Sequence, residues 1–320
     1  MAINWFPGHM NKARNQIKEA MPDIDLVVEV LDARLPYSST NPLVNDLRAD
    51  KPCIKVLNKA DIADPKITQQ WIDYYNNQNN THAIALVAEQ RKQAQQLIKL
   101  IKEIAAGKAN NKQAVRVMIM GIPNVGKSTL INALAGRYIA NTGNEPAVTK
   151  RQQMIDLKNG VILSDTPGIL WPKFENQKAG YRLAFSGAIK DTAIEYEDVA
   201  ASSLMYLQKE YWAELSARYK LIAEEESGMA LLELIGRKRG CLRSGGIVDM
   251  HKAAEIVLHE FRSCKIGHIT LEQPHMVAEE EAEVAAALAA KEAEKEERKR
   301  QAMKGKRQPQ EEIQKSSKKK

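Results

Sequence analysis

The sequence predicts an α/β fold with a doubly wound, mostly parallel sheet, followed by an all-helical C-terminal domain. Two observations carry this prediction. Short Val- and Ile-rich runs alternate with helix-like segments in the first half of the chain, as in parallel sheets covered on both faces. From about Glu175 onward the strand signals mostly stop, and helical patterns with capping residues take over. We therefore expect one domain over 1–174, a helical domain over 175–276, and a charged helix with a disordered basic tail over 277–320.

The first strands are predicted from their apolar composition. Residues 25–31 and 53–57 are short runs rich in Val and Ile that end in polar loops, as buried parallel strands do. A third run, 82–87, precedes a helix-like segment over 90–106. The polar, Gly- and Asn-rich stretch over 107–113 is typical of a linker.

The next strands flank two turn signals. Residues 115–120 predict a strand, which is followed by a Gly-rich turn and an amphipathic helix closed by Gly136. The dipeptide Asn159-Gly160 is a strong hairpin signal, so we expect strands over 152–157 and 161–164. Such a hairpin gives the parallel sheet an antiparallel edge.

The C-terminal part is predicted to be helical throughout. Residues 198–208, 210–225 and 249–261 have helical apolar patterns with caps. Residues 278–300 are Ala, Glu, Lys and Arg almost throughout, with favourable i,i+4 pairs such as Glu294 to Arg298. We expect this last segment to be a solvated single helix.

Composition places the chain among soluble globular proteins. It has 320 residues, of which 44% are hydrophobic and 27% charged, enough for a sizeable core in about two domains. No signal peptide is visible, and no apolar stretch approaches the ~20 residues that a membrane-spanning helix needs. Cys53, Cys241 and Cys264 are scattered without C-x-x-C spacing, which argues against a disulfide framework or a zinc site. We expect a cytoplasmic protein without a membrane partner.

The net charge of +7 is concentrated at the C-terminus, because residues 303–320 contain seven basic and two acidic side chains. A basic tail of this kind attracts polyanions such as RNA. A solubilising, disordered terminus accounts for the same composition. Both interpretations remain open on the sequence alone.

Residues 121–128 read GIPNVGKS and match the pattern G-x-x-x-x-G-K-[ST] between a predicted strand and a predicted helix. The backbone N–H groups of such a loop, and the positive end of the helix that follows it, hold phosphate oxygens. Lys127 would reach the β and γ phosphates, and Ser128 would supply a magnesium ligand. The pattern and its context predict a nucleotide-binding P-loop.

Two further motifs complete a nucleotide site. Residues 165–168 read DTPG at the end of the hairpin strand, so we expect Asp165 to act on magnesium and Gly168 to sense the γ-phosphate. Residues 58–61 read NKAD, and the carboxylate of Asp61 can accept hydrogen bonds from two guanine donors that adenine lacks. The motifs therefore predict specificity for guanine nucleotides.

The order of these motifs is unusual. Their combination resembles the GTPases of the translation-factor-related class, in which the N-K-x-D element follows D-x-x-G, whereas here it precedes the P-loop. This order indicates a P-loop GTPase fold that is circularly permuted. Permutation leaves the site intact because the same sheet can close with its termini moved to another loop.

Among permuted GTPases, the chain resembles the RbgA/YlqF family, ribosome biogenesis GTPase A, over roughly residues 4–272. The resemblance implies a GTP hydrolase that acts in late assembly of the large ribosomal subunit. Its partners would be rRNA and ribosomal proteins, and it would be a monomer off the ribosome. The segments that carry the resemblance are WFPGHM (5–10), DARLPYSSTNP (32–42), NKAD (58–61), GIPNVGKSTLIN (121–132), DTPG (165–168) and FRSCKIGHITLE (261–272).

The resemblance also implies how GTP or GDP and its ions are held. Mg²⁺ would be bound by Ser128, Thr149 and Asp165, although Ala147 replaces a glycine often found before the switch threonine. Asn124 resembles the asparagine that holds a potassium ion near the phosphates in some members, and it is equally consistent with an ordinary turn residue. The nucleotide contacts would come from Asn58, Lys59, Asp61, Ala88 (through its backbone N–H), Asn124, Val125, Gly126, Lys127, Ser128, Thr129 and Gly168.

The residue that orients the attacking water is not given by these motifs. Ile169 stands where many GTPases carry a glutamine that orients the attacking water. The resemblance points instead to His9, since a histidine can polarise water by hydrogen bonding. The implied catalytic set is His9, Lys127, Thr149 and Gly168.

Two classes of function remain open on the sequence. The first is an enzyme whose GTP hydrolysis controls attachment to a ribosomal precursor. The second is an RNA-binding scaffold with a structural, non-hydrolysed nucleotide, which Ile169 keeps open. In both, the basic residues of the helical part would contact RNA, namely Arg237, Lys238, Arg239, Arg243, Arg262 and Lys265.

Overall fold

A computed structural model gives the fold of the chain. The chain divides into two compact units, Met1–Pro274 and His275–Lys320. The domain boundary expected near residue 174 lies inside the first unit and remains a prediction. The structure describes the backbone of residues 9–106, 114–140, 153–166, 168 and 175–317, and the side chains of these except 9–13, 193 and 299–317.

A six-stranded sheet in the order β3-β2-β1-β4-β6-β5 forms the centre of the first unit. Paired strands are parallel except β5, which runs antiparallel to β6 at the edge of the sheet. This arrangement confirms the predicted parallel sheet with an antiparallel edge. The strands are β1 Leu26–Asp32, β2 Cys53–Asn58, β3 Thr81–Ala85, β4 Val115–Gly121, β5 Gln153–Asp156 and β6 Val161–Asp165.

The sheet brings the three sequence motifs to one edge. β2 ends at Asn58, β4 at Gly121 and β6 at Asp165, and the carboxyl ends of parallel strands face the same edge of a sheet. β2 and β4 both pair with β1, one on each side. Because the chain forms the NKAD strand before the P-loop strand, one site is assembled in circularly permuted order.

Two neighbouring strands, β1 and β2, are buried along their whole length. β1 and β2 consist mostly of Val, Leu and Ile, but each also carries a charged side chain. Glu29 and Lys55 are opposite one another in register and form an ion pair of 2.5 Å. The backbone N–H of Asn41 donates to the same Glu29 carboxylate over 2.8 Å. The pair therefore satisfies two buried charges and ties the loop after β1 to the sheet.

Among the described residues of the part that forms the sheet, six segments are α-helices. Asp64 begins the helix after NKAD, because its carboxylate accepts the N–H groups of Lys66 and Ile67, as an N-cap does. The helix expected over 90–106 is present as α5. The helices are α1 His9–Ala20, α2 Pro36–Ser39, α3 Pro42–Arg48, α4 Pro65–Asn76, α5 Arg91–Ala106 and α6 Lys127–Ala135.

Residues 177–262 are mostly helical and contain an isolated bridge between Leu242 and Val248. The helix expected over 210–225 is shorter than predicted, because Lys220 adopts a left-handed φ of 56° and ends it. The helices are α7 Gln177–Ser186, α8 Tyr196–Glu210, α9 Trp212–Tyr219, α10 Gly228–Lys238 and α11 Met250–Arg262.

Glu272, ten residues after α11, joins the helical part to the sheet part. Its buried carboxylate accepts the backbone N–H and the hydroxyl of Ser38 over 2.8 and 2.6 Å. It also pairs with Arg182 of α7 over 3.1 Å, and its carbonyl accepts the indole N–H of Trp71. One residue therefore connects α7 and α2 through its side chain and α4 through its backbone.

The second unit is one α-helix, α12 Met276–Ser317. The disordered tail expected over 303–320 is instead part of this helix as far as Ser317, although the segment contains Gly305 and Pro309, which disfavour helix. Within the described ranges, no helix combines the length and the apolar character that crossing a membrane requires.

Candidate nucleotide-binding site

The P-loop is a tight turn between β4 and α6. α6 starts at Lys127, and Gly126 before it has a φ of 89° in the left-handed region. A Cβ atom on Gly126 would lie 2.2 Å from Nδ2 of Asn58, so both the backbone conformation and the available space require glycine. Because glycine has no side chain to cap α6, the N–H groups of its first turn are left for an anion.

Asn58 bridges the P-loop and the loop after β3. Its Nδ2 donates to the carbonyl of Val125 over 2.7 Å, and its Oδ1 accepts the N–H of Ala88 over 2.9 Å. All three residues are buried. The first residue of NKAD therefore fixes the distance between the P-loop and the loop after β3.

Ala88 departs from its expected role. Its N–H was expected to donate to guanine O6, but in this structure it donates to Asn58. The backbone of this loop folds back onto the NKAD motif, so Ala88 supports Asn58 and is not presented to a base. Asp61, in contrast, is exposed, which suits a carboxylate expected to bind guanine.

Lys59, the second residue of NKAD, lies between the P-loop and the end of β1. Its backbone is left-handed, with a φ of 62°. Its Nζ donates to the carbonyl of Asn124 over 2.7 Å and to Oδ2 of Asp32 over 2.9 Å. Asp32 in turn pairs with Arg34 through both of its oxygens. The ammonium group of Lys59 is therefore held between the P-loop on one side and the end of β1 on the other.

The environment of Asp32 keeps it ionised. Burial acts to raise the pKa of this carboxyl, but the charges of Arg34 and Lys59, together with their hydrogen bonds, outweigh burial and hold the pKa well below its usual range. Asp32 is therefore a permanent negative charge beside Lys59.

Lys127 and Asp165 form a buried ion pair at the centre of the phosphate site. Burial raises the pKa of Asp165 even though Lys127 opposes the shift, and burial likewise lowers the pKa of Lys127. One ion pair thus compensates the two buried charges incompletely. A phosphate for the lysine and a cation for the carboxylate would satisfy both groups better.

The donor set at this point fits a hard divalent cation. Oδ2 of Asp165 is buried and has no hydrogen-bond partner in the part of the chain that the structure describes. Ser128 lies in the first turn of α6, directly after Lys127. A hydroxyl and a carboxylate oxygen are the ligand types that Mg²⁺ prefers.

Gly168 lies against the P-loop. A Cβ atom there would be 3.1 Å from the backbone nitrogen of Pro123, so the third motif is in close backbone contact with the first. Thr166 secures the segment, because its hydroxyl donates to the carbonyl of Ile119 in β4 over 2.9 Å. Thr166 and Gly168 therefore lie beside the end of β4 and the P-loop.

Asn124 connects the P-loop to the helical part. Its Nδ2 donates to the carbonyl of Gly187, the residue that ends α7, over 2.7 Å. Asn124 itself has a left-handed φ of 61°. The sequence indicated a potassium ligand or an ordinary turn residue here, and it did not indicate the contact with Gly187.

The side chains of two residues of the expected catalytic set lie outside the described part of the chain. His9 is the first residue of α1, and only its backbone is described. Thr149 falls wholly outside the described residues. Their roles remain predictions. Val125 and Thr129 lie within the P-loop and the first turn of α6, as the motif requires.

Sequence reasoning missed Asp32, Arg34 and Gly187. Asp32 and Arg34 belong to the DARLP segment, which was used only as a mark of resemblance. Their position directly after a buried strand, on the edge that carries the other motifs, is the signal that would have found them. Gly187 has no such signal, because its contact with Asn124 spans 63 residues.

The chain is similar to known ribosomal GTPases. The family model of 50S ribosome-binding GTPases matches residues 116–226. Ribosome biogenesis GTPase A of Priestia megaterium is 48% identical over 282 residues, which cover 86% of this chain and 98% of the relative.

Two solved structures of YlqF are also similar. A GDP-bound YlqF shares 29% identity with a TM-score of 0.61, over 81% of this chain and 99% of that one. A GNP-bound YlqF from T. maritima shares 29% identity with a TM-score of 0.57, over 82% and 98% of the two chains. Since the relatives are matched over nearly their whole length and the permuted motifs meet at one sheet edge, the chain belongs to the ribosome biogenesis GTPase A family of P-loop GTPases.

Proposed function

We propose that this GTPase binds a precursor of the large ribosomal subunit and couples GTP binding and hydrolysis to its late assembly. The observation that supports the nucleotide part is the Asn58 bridge, which joins the P-loop to the base-binding side of the site. The ribosomal part is supported by the names of the relative and of the matching family, ribosome biogenesis GTPase A and 50S ribosome-binding GTPase. The proposed partners are therefore rRNA and ribosomal proteins of that subunit, bound by a monomer.

Each motif has a separate task in this proposal. Asp61 accepts hydrogen bonds from guanine, and Lys127 exchanges Asp165 for the β and γ phosphates. Ser128 and Asp165 would hold Mg²⁺, which neutralises phosphate charge when bound, and Thr149 is proposed as a further ligand. The buried, unpaired oxygen of Asp165 supports this assignment.

Base specificity is tested by Asp61→Asn. An amide would lose the charge-assisted hydrogen bonds to guanine but could pair with xanthine, so GTP affinity should fall and xanthosine triphosphate should bind. The measurement is titration of each nucleotide into the full chain. Unchanged GTP affinity would contradict the assignment of NKAD.

Hydrolysis is proposed to depend on His9 and to be stimulated by the ribosomal subunit. His9→Ala should leave nucleotide affinity within about threefold and slow subunit-stimulated single turnover by about 100-fold, the contribution of a positioned acid–base group. His82→Ala, which removes an exposed histidine of β3, is the matched control. Wild-type turnover in His9→Ala would remove this role. No turnover in the wild type, with or without large subunits, would favour the scaffold function.

Potassium dependence is proposed through Asn124. Its position in the P-loop suits a cation that neutralises charge developing on the phosphates. Turnover should be faster in potassium than in sodium buffer, and Asn124→Ala should remove the difference. Equal rates of the wild type in both buffers would contradict the proposal.

The proposed RNA surface is smaller than the sequence indicated. Arg239 is bound by the carboxylate of Glu260, and Arg262 donates to the carbonyls of Ala184 and Phe185, so both serve the helical packing. The side chains that are exposed are Arg237, Lys238, Arg243 and Lys265.

Charge reversal tests this surface. The double variant Lys238→Glu and Lys265→Glu should weaken co-sedimentation with large subunits. The slope of the logarithm of the binding constant against the logarithm of the salt concentration should become shallower by roughly 0.7 to 0.9 per lost phosphate contact. The control Lys99→Glu and Lys102→Glu makes the same charge change on the exposed side of α5. Equal losses in both variants, or preference for small subunits, would contradict the proposed docking.

A further inference from the structure

A continuous series of contacts runs from the P-loop to the segment that follows α11. It starts at the carbonyl of Asn124, which accepts Nζ of Lys59 over 2.7 Å. The same ammonium group donates to Oδ2 of Asp32 over 2.9 Å. Lys59 is only partly exposed, so its position is fixed by these two acceptors.

Arg34 fixes the carboxylate that holds Lys59. Nη2 of Arg34 donates to Oδ2 of Asp32 over 2.7 Å, and Nε donates to Oδ1 over 2.9 Å. The backbone N–H of Arg34 adds a third hydrogen bond to Oδ1 over 3.0 Å. A two-pronged pair of this kind sets both the position and the plane of a carboxylate.

The other side of Arg34 is held by the helical part. Its guanidinium carbon lies 5.0 Å from the ring centre of Phe261, near the end of α11, within the range of a cation–π contact. Its carbonyl accepts the N–H of Leu271 over 2.6 Å. Phe261 and Leu271 therefore determine where the guanidinium lies, and the guanidinium determines where Asp32 and Lys59 lie.

We propose that Asp32 and Arg34 are positioning residues for guanine-nucleotide binding, and that they make nucleotide affinity depend on packing of Phe261 and Leu271 against Arg34. This inference rests on the proposed nucleotide site. In physical terms, an ammonium group held in place pays less conformational entropy when a nucleotide binds beside it. Loosening the packing of Phe261 and Leu271 on Arg34 therefore weakens the nucleotide site without any change in the motifs themselves.

A second arginine–carboxylate pair serves as the matched control. Arg218 binds Glu260 through Nε and Nη2 over 3.0 and 2.6 Å, the same two-pronged geometry. Both residues belong to the helical part, in α9 and α11. Breaking this pair therefore perturbs the helical part without touching Lys59 or the P-loop.

The decisive experiment is a double-mutant cycle on the full chain with fluorescent GDP as the probe. Arg34→Gln should weaken GDP binding by about tenfold, the equivalent of one lost charge-assisted hydrogen bond. In a Lys59→Ala background, the same change should weaken binding by less than about twofold, because its target is already gone. Arg218→Gln should have less than about twofold effect in both backgrounds.

The contribution of the helical part is tested through the ring. Phe261→Leu removes the aromatic face and should weaken GDP binding severalfold, but it should have no further effect in the Arg34→Gln background. Tyr219→Leu is its control, because Arg239 lies 5.1 Å from the Tyr219 ring centre in a contact confined to the helical part. An equal loss from both ring variants overturns the proposed dependence.

A stability measurement distinguishes a loss of folding from a loss of nucleotide binding. Urea unfolding is measured for each variant, and Arg34→Lys, which keeps the charge but loses the two-pronged geometry, replaces Arg34→Gln if the latter does not fold. Equal weakening by the Arg34 change with and without Lys59 overturns this inference alone, provided that Asp61→Asn still loses GTP. Failure of the wild type to bind GDP overturns both this inference and the proposed function.

Discussion

Asn58→Ala tests whether one amide side chain organises the nucleotide site. The substitution removes the donor to the carbonyl of Val125 and the acceptor for the N–H of Ala88. Asn58, Val125 and Ala88 are each at most 1% exposed, so water does not replace the lost partners without rearrangement of the loops. A buried backbone group left unpaired costs about 1–3 kcal/mol. The free energy of unfolding should therefore fall by about 2–6 kcal/mol, and GDP affinity should fall at least about tenfold as the two loops separate.

The control for this prediction is Gln208→Ala. Gln208 of α8 also bridges two backbone groups with its amide, since it donates to the carbonyl of Glu225 over 2.8 Å and accepts its N–H over 2.9 Å. Both proteins are compared by urea unfolding and by GDP titration. Gln208→Ala should lose stability but keep GDP affinity within about twofold. An affinity loss in Asn58→Ala no larger than in Gln208→Ala would refute the reasoning.

Three further predictions follow from single contacts. Gly126→Ala should abolish GDP binding because its Cβ would lie 2.2 Å from Nδ2 of Asn58, whereas Gly160→Ala, at a φ of 86° with nothing within 4 Å, should only lower stability by about 1 kcal/mol. Asp32→Asn should cost about 3 kcal/mol of unfolding free energy at neutral pH. Because the folded-state pKa of Asp32 is depressed, this difference should persist above the ordinary value of 3.8 and shrink as the pH falls below it. GDP should protect the wild type against urea unfolding more strongly when Mg²⁺ is present, and Asp165→Asn should remove this difference. Equal protection by GDP with and without Mg²⁺ in the wild type would contradict the assigned site.

The local parts of the site were predictable because each motif is a turn at the end of a strand. Asn58, Lys127 and Asp165 each lie where a strand and a turn signal meet in the sequence, and the parallel sheet brings such positions together. The end of α9 was not predictable from periodicity, because Lys220 leaves the helix by a left-handed turn without a glycine to announce it.

The contacts between distant segments were beyond reach of the sequence. Arg239 looked like part of an RNA-binding cluster because basic neighbours precede it. Its partner, the buried Glu260, is 21 residues away on another helix, and only the packing of α10 on α11 brings them together. Tertiary packing decides whether a basic side chain faces RNA or pairs with a carboxylate. Counting the charges of neighbouring residues in the sequence does not show which of the two occurs.

The permuted order gives α7 a particular position in the molecule. The chain leads from Gly168 at the P-loop to the start of α7 within nine residues, and Gly187 at the end of the same helix accepts the hydrogen bond of Asn124. α7 is thus attached to the nucleotide site at both ends, covalently at one and through a side-chain amide at the other. Arg262 binds the last carbonyls of α7, which joins it to α11. The contacts of α7 therefore lie between the P-loop, through Asn124, and α11, through Arg262.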